Sequence, residues 1–237
     1  MLIWILVLIG LLLGVLVNYM ADVLPETRSL SQPSWWPLSK SSIEAYFRNP
    51  RVLVVQLLIL VASVWLAGGS IGNWGMGELL AVFSYFLLIA VIDIEHRAIL
   101  HPLSLVGAVL LGWIGGEHHG FFVTIAGGIA GFVAVYLVYR LAGFAAAWIA
   151  TRRSDPIDEV PFGFGDVNLS GLIGLLLGWP GVIGGLFLGL GFAGVYAAGQ
   201  MGWRLIRNEY KTFDTMPLGP FLALGALATL MLGVLVN

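Results

Sequence analysis

The chain is written as eight apolar stretches separated by short polar segments, and that pattern constrains its fold more than any single residue. Crossing ~30 Å of hydrocarbon takes roughly 20 predominantly apolar residues. The stretches run Leu2–Leu24, Val52–Ala67, Gly77–Asp93, Leu103–Ile114, Phe121–Ala150, Asp166–Leu177, Val182–Ile206 and Pro217–Val236. The fourth and sixth are short, as fits helices that begin in a polar, partly hydrated cavity. Of 237 residues, 59% are hydrophobic and only 10% charged, too few to clothe a soluble domain of this size. The expected fold class is therefore all-α, a polytopic integral membrane bundle of about eight transmembrane helices. Its expected parts are a first transmembrane helix over 1–24, a short loop over 25–51 and a seven-helix membrane domain over 52–237.

Several function classes fall away. A net charge of −2 argues against a nucleic-acid partner. The absence of cysteine removes disulfides, thiolate catalysis and any Cys-based zinc site. Met1-Leu2-Ile3-Trp4 lacks a basic n-region and no small-residue cleavage site follows, so a retained helix is expected rather than a signal peptide.

The basic residues orient the spans. All eleven Lys and Arg fall in the loops near 25–51, 94–102, 151–165 and 207–216 or at adjoining helix ends: Arg28, Lys40, Arg48, Arg51, Arg97, Arg140, Arg152, Arg153, Arg204, Arg207 and Lys211. The other side carries Glu78, Glu117, His118 and His119. The positive-inside rule makes the first set cytoplasmic and puts both termini outside. Asp93 and Asp166 then lie at the cytoplasmic membrane boundary. Glycine spacings at Gly127-xxx-Gly131 and Gly181-xxx-Gly185-xxx-Gly189 suit close helix packing.

Asp166 closes Gly163-Phe164-Gly165-Asp166 at the mouth of one apolar stretch, and Asp93 ends another. Two carboxylates sharing a low-dielectric site divide the labour, one ionised and one protonated. Such a pair activates water and polarises a carbonyl, which hydrolyses a peptide bond without metal or covalent intermediate. It titrates as a unit, so the residues alone do not say which is the base. Gly163 and Gly165 let the backbone bend and a substrate strand approach. With six aspartates and 32 glycines, the G-x-G-D string alone is weak. On spacing alone, Asp166 is equally a helix cap and Asp93 equally a solvated boundary charge. A proton-coupled transporter or channel would use the same acids in an ion path.

These residues resemble the type IV prepilin peptidases, membrane aspartic proteases of the G-x-G-D class. The family's first motif, D-[LI]-[DE]-x-x-x-L/I-P, is similar to Asp93-Ile94-Glu95-His96-Arg97-Ala98-Ile99-Leu100. The G-x-G-D motif corresponds to Gly163–Asp166, followed by the Gly178-Trp179-Pro180-Gly181 turn. The family's I-P-F-G-P-F-L-A-L-G block resembles Met216–Gly225, and its Asn-x6-Pro segment is echoed from Asn18 to Pro25. The resemblance implies catalytic Asp93 and Asp166, and cleavage of prepilin or pseudopilin substrates at the cytoplasmic face of the plasma membrane. It implies no cofactor for proteolysis, and S-adenosylmethionine only where N-methyltransferase activity is retained. Three departures stand out. Asn168 replaces a common Lys, Leu100-His101 replaces Pro-Asp or Pro-Asn, and the 25–50 loop lacks the two Cys-x-x-Cys pairs that bind zinc in bacterial members. No metal is expected. Trp35 and Trp36 are expected to anchor that loop at the headgroups, and His118-His119 to be a solvated turn. Asn168 and the stripped loop also fit a weakened paralogue that binds pilin-like helices without cutting them.

Overall fold

The structure, a computed structural model, describes residues 2–27, 48–67, 73–150, 163–207 and 216–236. The expected anchor at Trp35 and Trp36 lies outside them, as do Arg28, Lys40, Arg152, Arg153 and Lys211. Among the described residues eight helices answer the eight apolar stretches: α1 Leu2–Thr27, α2 Pro50–Ala67, α3 Met76–His96, α4 His101–His119, α5 Phe121–Ala150, α6 Phe164–Leu177, α7 Gly181–Ile206 and α8 Gly219–Val236. Helices α1, α3, α5 and α7 are each long and apolar enough to cross a membrane, and α2, α6 and α8 are shorter apolar helices. The protein is thus an all-helical polytopic membrane protein.

Helix ends follow local chemistry. The side chain of Glu78 reaches back to accept the Gly75 N–H at 2.9 Å, one half of a capping box at the start of α3. Helix α4 runs well beyond the expected Leu103–Ile114. Pro102 fits its first turn, where no intrahelical N–H is needed. At its far end the polar Glu117-His118-His119 stays helical until Gly120, whose φ of 81° lets its N–H turn back to the Gly116 carbonyl. Gly178, at φ 64°, closes α6 in the same way on Gly174.

The chain divides into two compact units, residues Met1–His96 with Gly233–Asn237, and residues Arg97–Leu232. In the first, α1, α2 and α3 pack on one another, and α3 is the most enclosed of the long helices, 61% buried against 28% to 33% in the other three. Polar side chains join α1 to α2: the Asn18 amide donates to the carbonyls of Gly14 (2.9 Å) and Val52 (3.4 Å).

In the second unit the most extensive pairing is α5 with α6, and glycine makes it. Gly127 meets Gly174, and Gly131 meets the Ser170 carbonyl, so the two helices run antiparallel with backbones in contact. A Cβ at Gly127 would stand 2.6 Å from the Gly178 carbonyl carbon. On α7, Gly185 and Gly189 do the same for α8, with a Cβ at Gly189 coming within 2.9 Å of the Leu222 Cα. Both glycine spacings read from the sequence are therefore helix seams, though Gly181 itself packs only on its own turn, against Leu177. We expect Gly127→Ala or Gly174→Ala to destabilise the protein by about 1–3 kcal/mol through overpacking. Gly116→Ala, with open space around its Cβ, should be neutral or slightly stabilising. Thermal unfolding in detergent checks both.

His119 closes the far end of the same unit. Its imidazole donates to the Leu176 carbonyl, one of the orphan acceptors at the end of α6. Partial burial, then the neighbouring His118, lower its proton affinity, and the Leu176 carbonyl only partly opposes them. A histidine depressed in the folded state favours folding above its ordinary value of 6.5 and loses that contribution as pH falls through it. Stability should fall between pH 7 and pH 5, and His119→Asn should flatten that slope in melting curves.

Candidate active site

Asp93 sits in the last turn of α3 with only 5% of its surface exposed. A carboxylate at a helix C-terminus opposes the helix dipole, whose negative end lies there. Two residues on, Glu95 accepts a hydrogen bond from Arg51 Nη1 at 2.7 Å. The second Arg51 nitrogen, Nη2, donates to Asp22 of α1. This guanidinium, its side chain 16% exposed, joins the ends of all three helices of the first unit. Sequence reading used Arg51 only as a mark of orientation. The overlooked signal is that Glu95 ends α3 and Arg51 opens α2, each at the wrong end of its helix.

Helix α3 stops at Arg97, whose φ of 50° is left-handed, and residues 98–100 run without regular structure into α4. Ser104 fastens that entry by donating its backbone N–H to the Leu100 carbonyl at 3.0 Å. Within the second unit Ile99 lies against Gly165: a Cβ there would stand 2.8 Å from the Ile99 Cβ and 3.3 Å from its backbone nitrogen. Gly165 is thus a contact point for the end of the first aspartate motif, Asp93–Leu100. Nothing in the spacing of either motif announced that contact.

Asp166 occupies the first turn of α6, in a half-buried position. Gly163, at φ −81° and ψ 146°, is the extended residue ahead of the helix and has no side chain to cap it. The backbone N–H of Asp166 returns to the Gly163 carbonyl at 3.1 Å, and its carbonyl accepts the Ser170 hydroxyl at 2.7 Å. Negative charge is favoured at this end of a helix, the reverse of the situation at Asp93. Asp93 belongs to the first unit and Asp166 to the second.

Phe164 is ringed by aromatic side chains of α5, with Phe132 at 6.3 Å and Tyr139 at 6.1 Å between ring centroids, both edge-on. Behind it a cavity of about 630 Å³ lies among α4, α5 and α6, its polar lining supplied by His101, Ser104 and Asn168. Asn168 follows Asp166 by two positions, about 200° around the helix, so the cavity and the Asp166 carboxylate take opposite faces of α6.

The sequence model of the type IV leader peptidase family matches residues 80–198, half of the chain, a span that holds both aspartates and both motif glycines. The chain belongs to the type IV leader peptidase family. It is 29% identical over 182 residues to a prepilin leader peptidase/N-methyltransferase of Pectobacterium carotovorum subsp. carotovorum, covering 74% of this chain and 57% of that protein. Enzymes of the same name from Aeromonas hydrophila and Aeromonas salmonicida (strain A449) are each 26% identical, over 193 and 185 residues, with 78% of this chain and 59% of each relative covered. The chain thus spans under three fifths of the length of these leader peptidase relatives. No solved structure matches it. Asp22 and Arg51 fall outside the family-matched span, whereas Glu95 falls inside it.

The Gly165 contact yields a direct test. We expect Gly165→Ala to displace residues 98–100 at a cost of about 1–3 kcal/mol, visible as a lowered melting temperature. Gly163→Ala, with nothing closer than 3.8 Å to its Cβ, should leave that temperature unchanged.

Proposed function

We propose that this protein is a membrane aspartic endopeptidase that removes the basic leader from prepilin- or pseudopilin-like substrates at the cytoplasmic face of the plasma membrane. The observation that carries the reading is that the family-matched span contains two aspartates at helix ends, each in its own motif. Ile99, six positions past Asp93, packs on Gly165, the residue before Asp166, so the end of the first motif meets the second within one unit. The distribution of Lys and Arg in the sequence supports the cytoplasmic side.

The helix ends suggest the roles. Asp166, at an N-terminal end that favours negative charge, takes a proton from water as the hydroxide oxygen bonds to the scissile carbonyl carbon. Asp93, buried at a C-terminal end, gives its proton to the carbonyl oxygen. Collapse of the tetrahedral species breaks the C–N bond, and the proton held by Asp166 passes to the departing amine. The product acid then returns its proton to Asp93, so the dyad ends as it began. Water is the sole co-reactant, and no metal or cofactor enters this step.

Cleavage of a prepilin-like substrate in membranes, read by mass spectrometry of the new N-terminus, tests this. Asp93→Asn and Asp166→Asn should each lower the rate by roughly a hundred- to ten-thousand-fold without loss of folded protein. Cleavage that survives either change would sink the dyad. An added methyl on the product amine would report S-adenosylmethionine-dependent methylation.

A further inference from the structure

We infer that Arg51 is the positioning residue for Asp93: its fork on Asp22 and Glu95 pins the last turn of α3 and cancels the charge of the second carboxylate in that turn. The inference rests on the proposed peptidase reading and deepens it, since Arg51 lies outside the family-matched span.

The last turn of α3 is an unfavourable construction taken alone. It places Asp93 and Glu95 together at the negative end of a helix dipole, and an acid in that place weakens the turn. Asp22 is similarly placed near the end of α1, and Arg51 stands at the positive end of α2. Arg51 and Glu95 are misplaced for their own helices, and with Asp22 the three satisfy one another across helices. Arginine suits the role because its planar fork serves two carboxylates at once, which the point charge of lysine does not. Its Nη1 and Nη2 are both engaged, and its Nε is buried with no hydrogen-bond partner, so the group is held by the two acids.

Two consequences bear on Asp93. The turn that carries it is tied to α1 and α2, which fixes the angle at which its carboxyl is presented. The guanidinium also neutralises Glu95, about 200° around the same turn, so the Asp93 carboxyl does not share that turn with an uncompensated charge. The titratable groups near this end on the packed helices are Tyr19 and Asp22 on α1 and Arg51 on α2, with Arg48 just ahead of it. On α3 itself they are Glu95 and His96. Arg51 is the cation that the structure bonds to Glu95.

The test uses the full chain in membranes, with a leader-bearing substrate and rates followed across pH. Arg51→Gln should lower kcat by about ten-fold or more and move the pH–rate profile upward by about one unit, as an uncompensated carboxylate demands. Arg51→Lys should fall between the two. Arg51→Gln combined with Glu95→Gln should return the profile to its original position, because the stray charge is gone. A purely structural Arg51 would lower the melting temperature in the single and double variants alike and leave the profile unmoved, which overturns the inference. If the wild type cleaves nothing, the peptidase reading fails by itself. The inference is then decided by infrared titration of the carboxyl band that disappears in Asp93→Asn. An upward shift of that band in Arg51→Gln upholds it, and an unmoved band overturns it.

Discussion

The backbone contact between Gly127 of α5 and Gly174 of α6 is the constraint on which the second unit depends. Helix α6 has 14 residues and is about 21 Å long, short of the ~30 Å hydrocarbon core. A helix that short does not hold its depth by spanning. It is held by its neighbours, and without side chains at the seam the two backbones approach until dispersion contacts run along both. The depth and rotation of α6, and therefore the position of Asp166, are set by where the glycines fall.

The first unit solves a different problem. Its carboxylate stands at the end of a helix that is largely enclosed, beside a second acid and the negative end of the dipole. Packing alone gives no reason for charge to be there. A single half-buried guanidinium at the start of α2, hydrogen-bonded to Asp22 and Glu95, makes the arrangement tolerable. The two units thus hold their aspartates by opposite means, one with glycines that remove side chains from a seam, the other with charges that bind across it.

The two helix ends treat a carboxylate in opposite ways. A free carboxylate is favoured in the first turn of α6 and disfavoured in the last turn of α3. The cavity behind Phe164 lies on the other face of α6, which separates Asn168, where the family commonly has lysine, from the Asp166 carboxylate. That departure reads as a change in the lining of a neighbouring cavity rather than the loss of a partner to the Asp166 carboxylate.

Sequence alone was sufficient for the number and kind of the described membrane helices, because the apolar length that makes a membrane span is a local property. Sequence also carried the family motifs around Asp93 and Asp166, and the glycine spacings at Gly127, Gly131, Gly185 and Gly189. Helix ends were less legible: α4 continues through polar residues to His119, since a helix stops where a residue such as Gly120 can turn the backbone, not where hydrophobicity ends. Only the tertiary structure decided that Ile99 lies on Gly165 and that Arg51 bridges Asp22 and Glu95. Those contacts join residues 29, 44 and 66 positions apart, and no local rule ranks one distant partner over another until packing brings them together.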